Sequence, residues 1–401
     1  MALGEIILAL IFGVGCGIIT GITPGIHVNL VSVLVVSSSA WLLGFTTPLV
    51  LGVFIISLAI THTFLDTLPS IYLGAPDEAQ ALNVLPGHRM LLQGEGHNAV
   101  VYTIIGSLGS LILGAAFFPF FIWSMVYLQP LVQQIVGVLL LGIMAYMIGK
   151  EKEWMKCLTA FLLAGGLGLL VFSIPNLNQP LFPLLSGLFG FSILVVSLSQ
   201  KSTIPPQDLT KPLTITRKNV IKSVSASTGM GFIAAFLPGF GSSQAAIVAT
   251  NIVGDIGDEG FLSLVGGINT ANMLISIATI YALDKARNGA IVAVHELAGT
   301  ISLEEMLVFL AVSLTAGGAA TLLTLWFSKI FSHFIVNVNY ARLIMGIMIF
   351  ITVLTLYFDG LVGFVILMTS TALGLVASYW GVGKNHLMGC LIVPVILYFL
   401  L

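Results

Sequence analysis

The sequence predicts an all-α, polytopic membrane protein of two inverted-topology repeats, each with a re-entrant hairpin broken at a Pro-Gly pair, and about 10–12 membrane segments. Three observations predict this: the composition, an internal recurrence and the placement of the basic residues. Of 401 residues, 58% are hydrophobic and 7% charged, where soluble domains carry about 25% charged residues. A surface so poor in charge belongs in a lipid bilayer. The formal net charge of -2 gives no basic stripe for phosphates, so nucleic acid is excluded as a partner.

The recurrence starts at Gly13. Residues 13–29 read GVGCGIITGITPGIHVN, and residues 229–243 read GMGFIAAFLPGFGSS. With Pro24 on Pro238, Gly15 meets Gly229, Gly17 meets Gly231 and Gly25 meets Gly239, all at an offset of 214 residues. A broken apolar element in each half is the pattern of a transporter with discontinuous helices. The first run, Ile6 to Trp41, has 36 residues. As one straight helix it would measure roughly 54 Å, too long for a single crossing, so it is expected to turn back at Pro24-Gly25. In the second run, Val220 to Val253, the arm after the break (Phe240 to Val253) measures roughly 21 Å, too short to span.

Further apolar spans are expected at Thr47–Ile60, Ala99–Phe121, Val126–Ile148, Cys157–Phe172, Leu181–Leu198, Phe261–Leu283, Met306–Phe327, Phe334–Tyr357, Leu361–Tyr379 and Leu387–Leu401. The mixed segment His62 to Asn98 is taken to return to its own side. The hydrophilic stretch 199–219 is read as a linker between a first repeat (1–198, hairpin 6–41) and a second (220–401, hairpin 220–253).

Basic residues set the orientation. Three lysines lie in Lys150 to Lys156, and Lys201, Lys211, Arg217, Lys218 and Lys222 lie in or beside the linker. Two spans separate these loops, so both are cytoplasmic by the positive-inside rule. Lys329 and Lys384 then fall on that side too. The N-terminus falls outside, and the two hairpins enter from opposite faces of the plasma membrane. The first basic residue is Arg89. Without a basic n-region the N-terminal run is expected to stay in the mature protein.

A helix N-terminus favours anions and a C-terminus favours cations. Two hairpin tips meeting near the midplane offer both without a buried arginine. The expected substrate-binding residues are therefore Pro24, Gly25, Ile26, His27 and Asn29 in the first half, and Pro238, Gly239, Gly241, Ser242 and Ser243, with Gln244 beside them, in the second. A second group, Thr61, His62, Thr63 and Asp66, has its counterpart in Asn269, Thr270 and Asn272. Polar clusters inside apolar runs are expensive, so this group is assigned to ion coupling or to support of the site; an interhelix hydrogen-bond network is the competing reading. His62 and Asp66, four apart, suit proton coupling; carbonyls and Asn side chains suit sodium. Gly13, Gly17 and Gly21, spaced four apart, read as a helix-packing stripe. Cys16, Cys157 and Cys390 read as core residues. His88, Arg89, Glu95 and His97 are placed at the interface, Asp284, Lys285 and Arg287 in a solvated turn, and His295, Glu296, Glu304 and Glu305 on the surface. There is no Walker loop, nucleophile motif or zinc pattern. An enzyme and a resident cofactor are therefore not expected, only Na⁺ or H⁺ as coupling ion.

Several of these residues carry a family likeness. Gly15-x-Gly17 … Pro24-Gly25, then Ile71-Tyr72-Leu73-Gly74-Ala75-Pro76-Asp77-Glu78, then Leu85-Pro86-Gly87-His88 and Gly94-Glu95-Gly96-His97-Asn98-Ala99, with Pro238-Gly239 as a second tip, resemble the TctA family, the large membrane subunit of tripartite tricarboxylate transporters. The resemblance implies a cation-driven carrier of small carboxylates with an elevator-like motion. It also implies a small membrane subunit and a soluble binding protein as partners. A homodimer is carried beside these. His27 and Asn29 depart from the small residues usual at the first tip. The second tip, Pro238 to Ser243, is also similar to polyprenyl-phosphate translocases, which is the alternative function; Arg89, Lys285 or Arg287 would then meet the lipid headgroup.

Overall fold

The computed structural model describes residues 3–24, 28–75, 78–175, 177–199, 204–237, 240–286, 288–337 and 340–400, and these are helical or irregular, with no strand. Helix α1 (Leu3–Ile22) stops just before Pro24, whose ring cannot continue a helix. The chain resumes as α2 (Val28–Ser37) and a short α3 (Ser39–Leu42). α4 (Pro48–Leu65) starts with proline in its first turn, where no N–H is missed, and runs through a π-helical turn, Pro69–Leu73, to Gly74 at φ +63°. A 3₁₀ segment (Glu78–Asn83) leads into α5 (Val84–Leu92), α6 (Gly96–Ala116), α7 (Phe118–Gly149), α8 (Trp154–Ser173), α9 (Leu181–Leu185), a π-helical stretch Ser186–Phe191 and α10 (Ser192–Ser199).

The second half holds α11 (Arg217–Phe236), α12 (Ser242–Val253), α13 (Gly257–Leu283), α14 (Gly289–Ala298), α15 (Leu303–Asn337), α16 (Tyr340–Tyr379), a 3₁₀ turn Lys384–Met388 and α17 (Gly389–Leu400). Among the described residues, seven helical stretches are long and apolar enough to cross a membrane: Leu3–Ile22, Pro48–Leu73, Gly96–Ala116, Trp154–Ser173, Gly257–Leu283, Leu303–Val336 and Ala341–Tyr379. α15 is one 35-residue helix across the gap expected between Phe327 and Phe334. The two spans expected after it form the two limbs of α16, divided at Gly360 (φ 60°). Asp359 holds this kink, its Oδ1 accepting the backbone N–H groups of Asn178 and Gln179 at 2.7 and 2.9 Å.

Small residues bring the central helices together. A Cβ added to Gly13, Gly17 or Gly21 of α1 would come within 1.9 Å of Ser57 Oγ, 2.6 Å of Thr61 Cβ and 2.7 Å of Leu65 Cβ on α4. Without a hydrophobic drive between helices in lipid, such close approach supplies the packing energy. Gly231 of α11 stands likewise against Ala271 of α13. The packing is crosswise. α1 and α2 lie on α4, while α11 and α12 lie on α13; α6 of the first half packs on α11 and α13, and α15 of the second half packs on α4 and α1. α14 covers α2 and α4, and the 78–83 segment covers α12 and α13.

The stretch 204–216 is a docked strap. Gln207 Oε1 accepts the N–H of Gly96 (2.8 Å), Asn98 Nδ2 donates to Lys211 O (3.2 Å), and Thr214 N donates to Tyr102 Oη (2.9 Å). Lys211 pairs with Glu95, and Arg89 with Asp258 at 2.8 Å. His88 and His97, expected at the interface, are buried within the protein, where their polar atoms find internal partners. His88 Nδ1 lies 3.4 Å from Ile71 O, and His97 Nδ1 bonds Ser328 Oγ at 2.9 Å. Burial lowers the His88 pKa.

Candidate functional site

One cavity of about 290 Å³ lies where the two halves meet. Its walls come from the start of α2 (Val28, Asn29), the last turns of α4 (Ala59, His62, Thr63, Asp66), the end of α11 (Ala234, Ala235, Leu237), the start of α12 with its approach (Phe240, Gly241, Ser242), the middle of α13 (Asn269, Asn272, Met273) and the start of α14 (Asn288, Gly289), with Ala79. Three helices of ten or more residues thus begin at one cavity. Each leaves backbone N–H groups unpaired within its own helix and contributes a partial positive charge there. Among the described lining residues there is no lysine or arginine.

The α4 helix continues past the apolar run that ends at Ile60, and His62, Thr63 and Asp66 find partners inside the protein, while Thr61 Oγ1 has no hydrogen-bond partner among the described residues. Thr20 Oγ1 lies 3.3 Å from Gly17 O and 3.1 Å from His62 Nδ1, joining α1 to α4. Thr63 Oγ1 donates to Ile60 O (2.8 Å) and stands 3.1 Å from Thr270 Oγ1, joining α4 to α13. Asp66 lies at the junction. Asn269 Nδ2 donates to Oδ2 (2.7 Å), and Gln80 Nε2 to Oδ1 (2.9 Å). Gln80 Oε1 in turn accepts from Asn83 Nδ2. Across the cavity, Asn272 Nδ2 donates to Ser242 Oγ (3.2 Å), and Gln244 Oε1 accepts the N–H of Gly241 (3.0 Å), closing the start of α12.

Of the residues expected from sequence, Asn29, His62, Thr63, Asp66, Gly241, Ser242, Asn269 and Asn272 line this cavity together. Thr270 sits behind Thr63, Thr61 faces Gly17 of α1, and Ser243 and Gln244 are buried in the first turn of α12. Pro24 closes α1 without lining the cavity. Gly25, Ile26, His27, Pro238, Gly239 and Arg287 lie outside the described residues. Sequence reading missed Gln80, Asn288 and Gly289. Asn288 caps α14, its Oδ1 accepting the Ala290 N–H at 3.2 Å. Gly289 lets Asn29 lie against the start of α14, since a Cβ there would meet Asn29 Oδ1 at 2.4 Å and displace that side chain. Asp284 and His295, expected at the surface, pair at 2.8 Å.

The chain is 28% identical over 413 residues to the "Uncharacterized protein MJ1079" of Methanocaldococcus jannaschii, an alignment covering 98% of this chain and 99% of that relative. No solved structure matches. The family model described as the Tripartite tricarboxylate transporter TctA family matches residues 7–389, and the chain belongs to that family.

Proposed function

We propose that this chain carries small di- or tricarboxylates across the plasma membrane, with the α2–α4–α11–α12–α13–α14 cavity as the substrate site and movement of Na⁺ or H⁺ as the driving force. Family membership implies the membrane component of a tripartite tricarboxylate transporter and supports a transporter rather than an enzyme. The observation that carries the finer reading is the meeting of three helix starts with Asn29, Ser242 and Asn272 at one cavity whose described lining holds no lysine or arginine. Carboxylates are held there by N–H donors and helix dipoles, which can release an anion more readily than a buried arginine would.

In this proposal the α1–α2 and α11–α12 pairs are re-entrant hairpins of two inverted repeats, 1–198 and 220–401, with 199–219 as a cytoplasmic connection and the N-terminus outside. The short second arms support it: α2 has 10 residues and α12 has 12, roughly 15 and 18 Å, about half of a 30 Å hydrocarbon core, whereas the first arms, α1 and α11, have 20 residues each. The tip residues Gly25, Ile26, His27, Pro238 and Gly239 belong to the same site, and Thr61, Thr63, Asn269 and Thr270 support it. The hairpin-bearing core moves as an elevator against the remaining helices. A homodimer, a small membrane subunit and a soluble binding protein are the partners.

A thermal-shift screen tests the proposal. Citrate, succinate and other di- and tricarboxylates are added to the purified protein with and without sodium, against a polyprenyl phosphate. Stabilisation by carboxylates supports the carrier. Stabilisation by the lipid phosphate alone overturns it in favour of a lipid-carrier translocase.

A further inference from the structure

Resting on the carboxylate-carrier reading, we infer that Asp66 makes anion entry conditional on a proton: the cavity admits a carboxylate substrate when the Asp66 carboxyl is protonated and excludes it when the carboxyl is ionised. Asp66 is the one carboxylate among the described residues that line the cavity, and it is 2% exposed. An ionised Asp66 and an anionic substrate in the same small cavity repel strongly, because little water remains to screen them. A cation must therefore arrive with the anion, and this is the thermodynamic condition for cotransport.

The surroundings of Asp66 favour a proton over a metal ion. Asn269 Nδ2 keeps an N–H on one carboxylate oxygen in either state of the relay, and turning Gln80 supplies a single oxygen, where a sodium ion would need several. The relay also has a place for the protonated state. Asn83 is fully buried, and its Oδ1 has no hydrogen-bond partner among the described residues. Turning the Gln80 and Asn83 amides end for end would let Asn83 Oδ1 accept from Gln80 Nε2. Gln80 Oε1 would then face Asp66 and accept its new O–H. One chain of three side chains thus serves both charge states.

Few other titratable groups compete. α4 itself carries His62 at the cavity wall, whose Nδ1 is committed to Thr20. The 78–83 segment starts at Glu78, and α5 carries the buried His88. The α14 histidine, His295, is paired with Asp284. The acids of α13, Asp258 and Glu259, lie at the far end of that helix. α1 carries Glu5 in its first turn and Cys16 farther along, and α15 carries Glu304 and Glu305 at its start and Lys329 and His333 toward its end, His333 being bonded to Lys329 O. α2 has no titratable side chain, and α6 has His97, bonded to Ser328.

The test is calorimetric titration of citrate and of succinate into the detergent-solubilised protein between pH 5.5 and 8, in sodium or choline buffers, for the wild type, Asp66→Asn and His62→Gln. The expected wild-type affinity, divided by that of Asp66→Asn to remove the probe's own ionisation, falls about tenfold per pH unit on the alkaline side and ignores sodium. His62→Gln keeps this slope. Should Asp66→Asn fail to fold, the wild type alone decides. Titrations in buffers of different ionisation enthalpy are expected to show about one proton taken up per anion beyond the probe's own. No proton uptake, the same slope in Asp66→Asn, or an affinity that follows sodium at fixed pH overturns the inference. Absence of binding to the wild type under every condition would instead remove the carrier reading on which it rests.

Discussion

At the scale of single residues, the cavity combines two kinds of polar side chain. Asn272 and Ser242 hold each other across the α12–α13 contact, so each keeps a partner when the cavity is empty. Truncating one removes a ligand donor and leaves the other unpaired, an effect of about 1–2 kcal/mol. Asn272→Ala is expected to weaken carboxylate binding about tenfold with little change in unfolding temperature, as titration calorimetry and a melting curve together would show. His88 makes a different prediction. Burial lowers its pKa, so it folds in the neutral form. Below about pH 6.5 the unfolded chain binds a proton that the folded one resists. That part of the stability is complete above this pH and is lost as pH falls. Melting temperature is expected to drop on acidification, less steeply in His88→Gln. An unchanged slope in the variant would place the proton uptake elsewhere. Asn29, His62, Asp66, Ser242, Asn269 and Asn272 were legible in the sequence because a polar group in an apolar run is costly wherever it lies. Gln80 and Asn288 were not, because they sit in polar segments where such residues are ordinary.

At the scale of elements, close approach decides what is tolerated. Gly17 leaves no room for a side chain against Thr61, so Gly17→Leu must separate α1 from α4. A destabilisation of about 1–3 kcal/mol follows from overpacking, read as a lowered melting temperature, and Gly15→Leu serves as the control, since nothing lies within 4 Å of a Cβ there. Gly289→Val would push Asn29 away from the start of α14 and is expected to weaken substrate binding more than it lowers stability. The helix break near Pro24 and the stripe of Gly13, Gly17 and Gly21 could be read from spacing alone. The continuation of α4 past His62 to a π-turn at Leu73 could not, since a hydropathy window stops at the first histidine. Nor could the docking of 204–216, which depends on pairing with residues about a hundred positions earlier, such as Gly96, Asn98 and Tyr102.

At the scale of the whole molecule, the recurrence in the sequence becomes crosswise packing. α6 lies against α11 and α13, while α15 lies against α4 and α1, so neither half completes its own core. Separately expressed halves are expected to be unstable alone and to recover carboxylate binding on co-expression; a stable, binding-competent half would contradict the shared cavity. The membrane class and the broken elements followed from composition and repetition, which act along the whole chain. The third helix start, α14, emerged only from the fold, because it has no counterpart among the Pro-Gly tips. The central claim is that the three helix starts and their Asn side chains hold the anion. Its most direct test is calorimetric titration, into the double variant Asn29→Ala/Asn272→Ala and the wild type, of the carboxylate that stabilises the wild type most. A loss of about a hundredfold in affinity, with folding retained, is predicted; wild-type affinity in the folded double variant would contradict the claim.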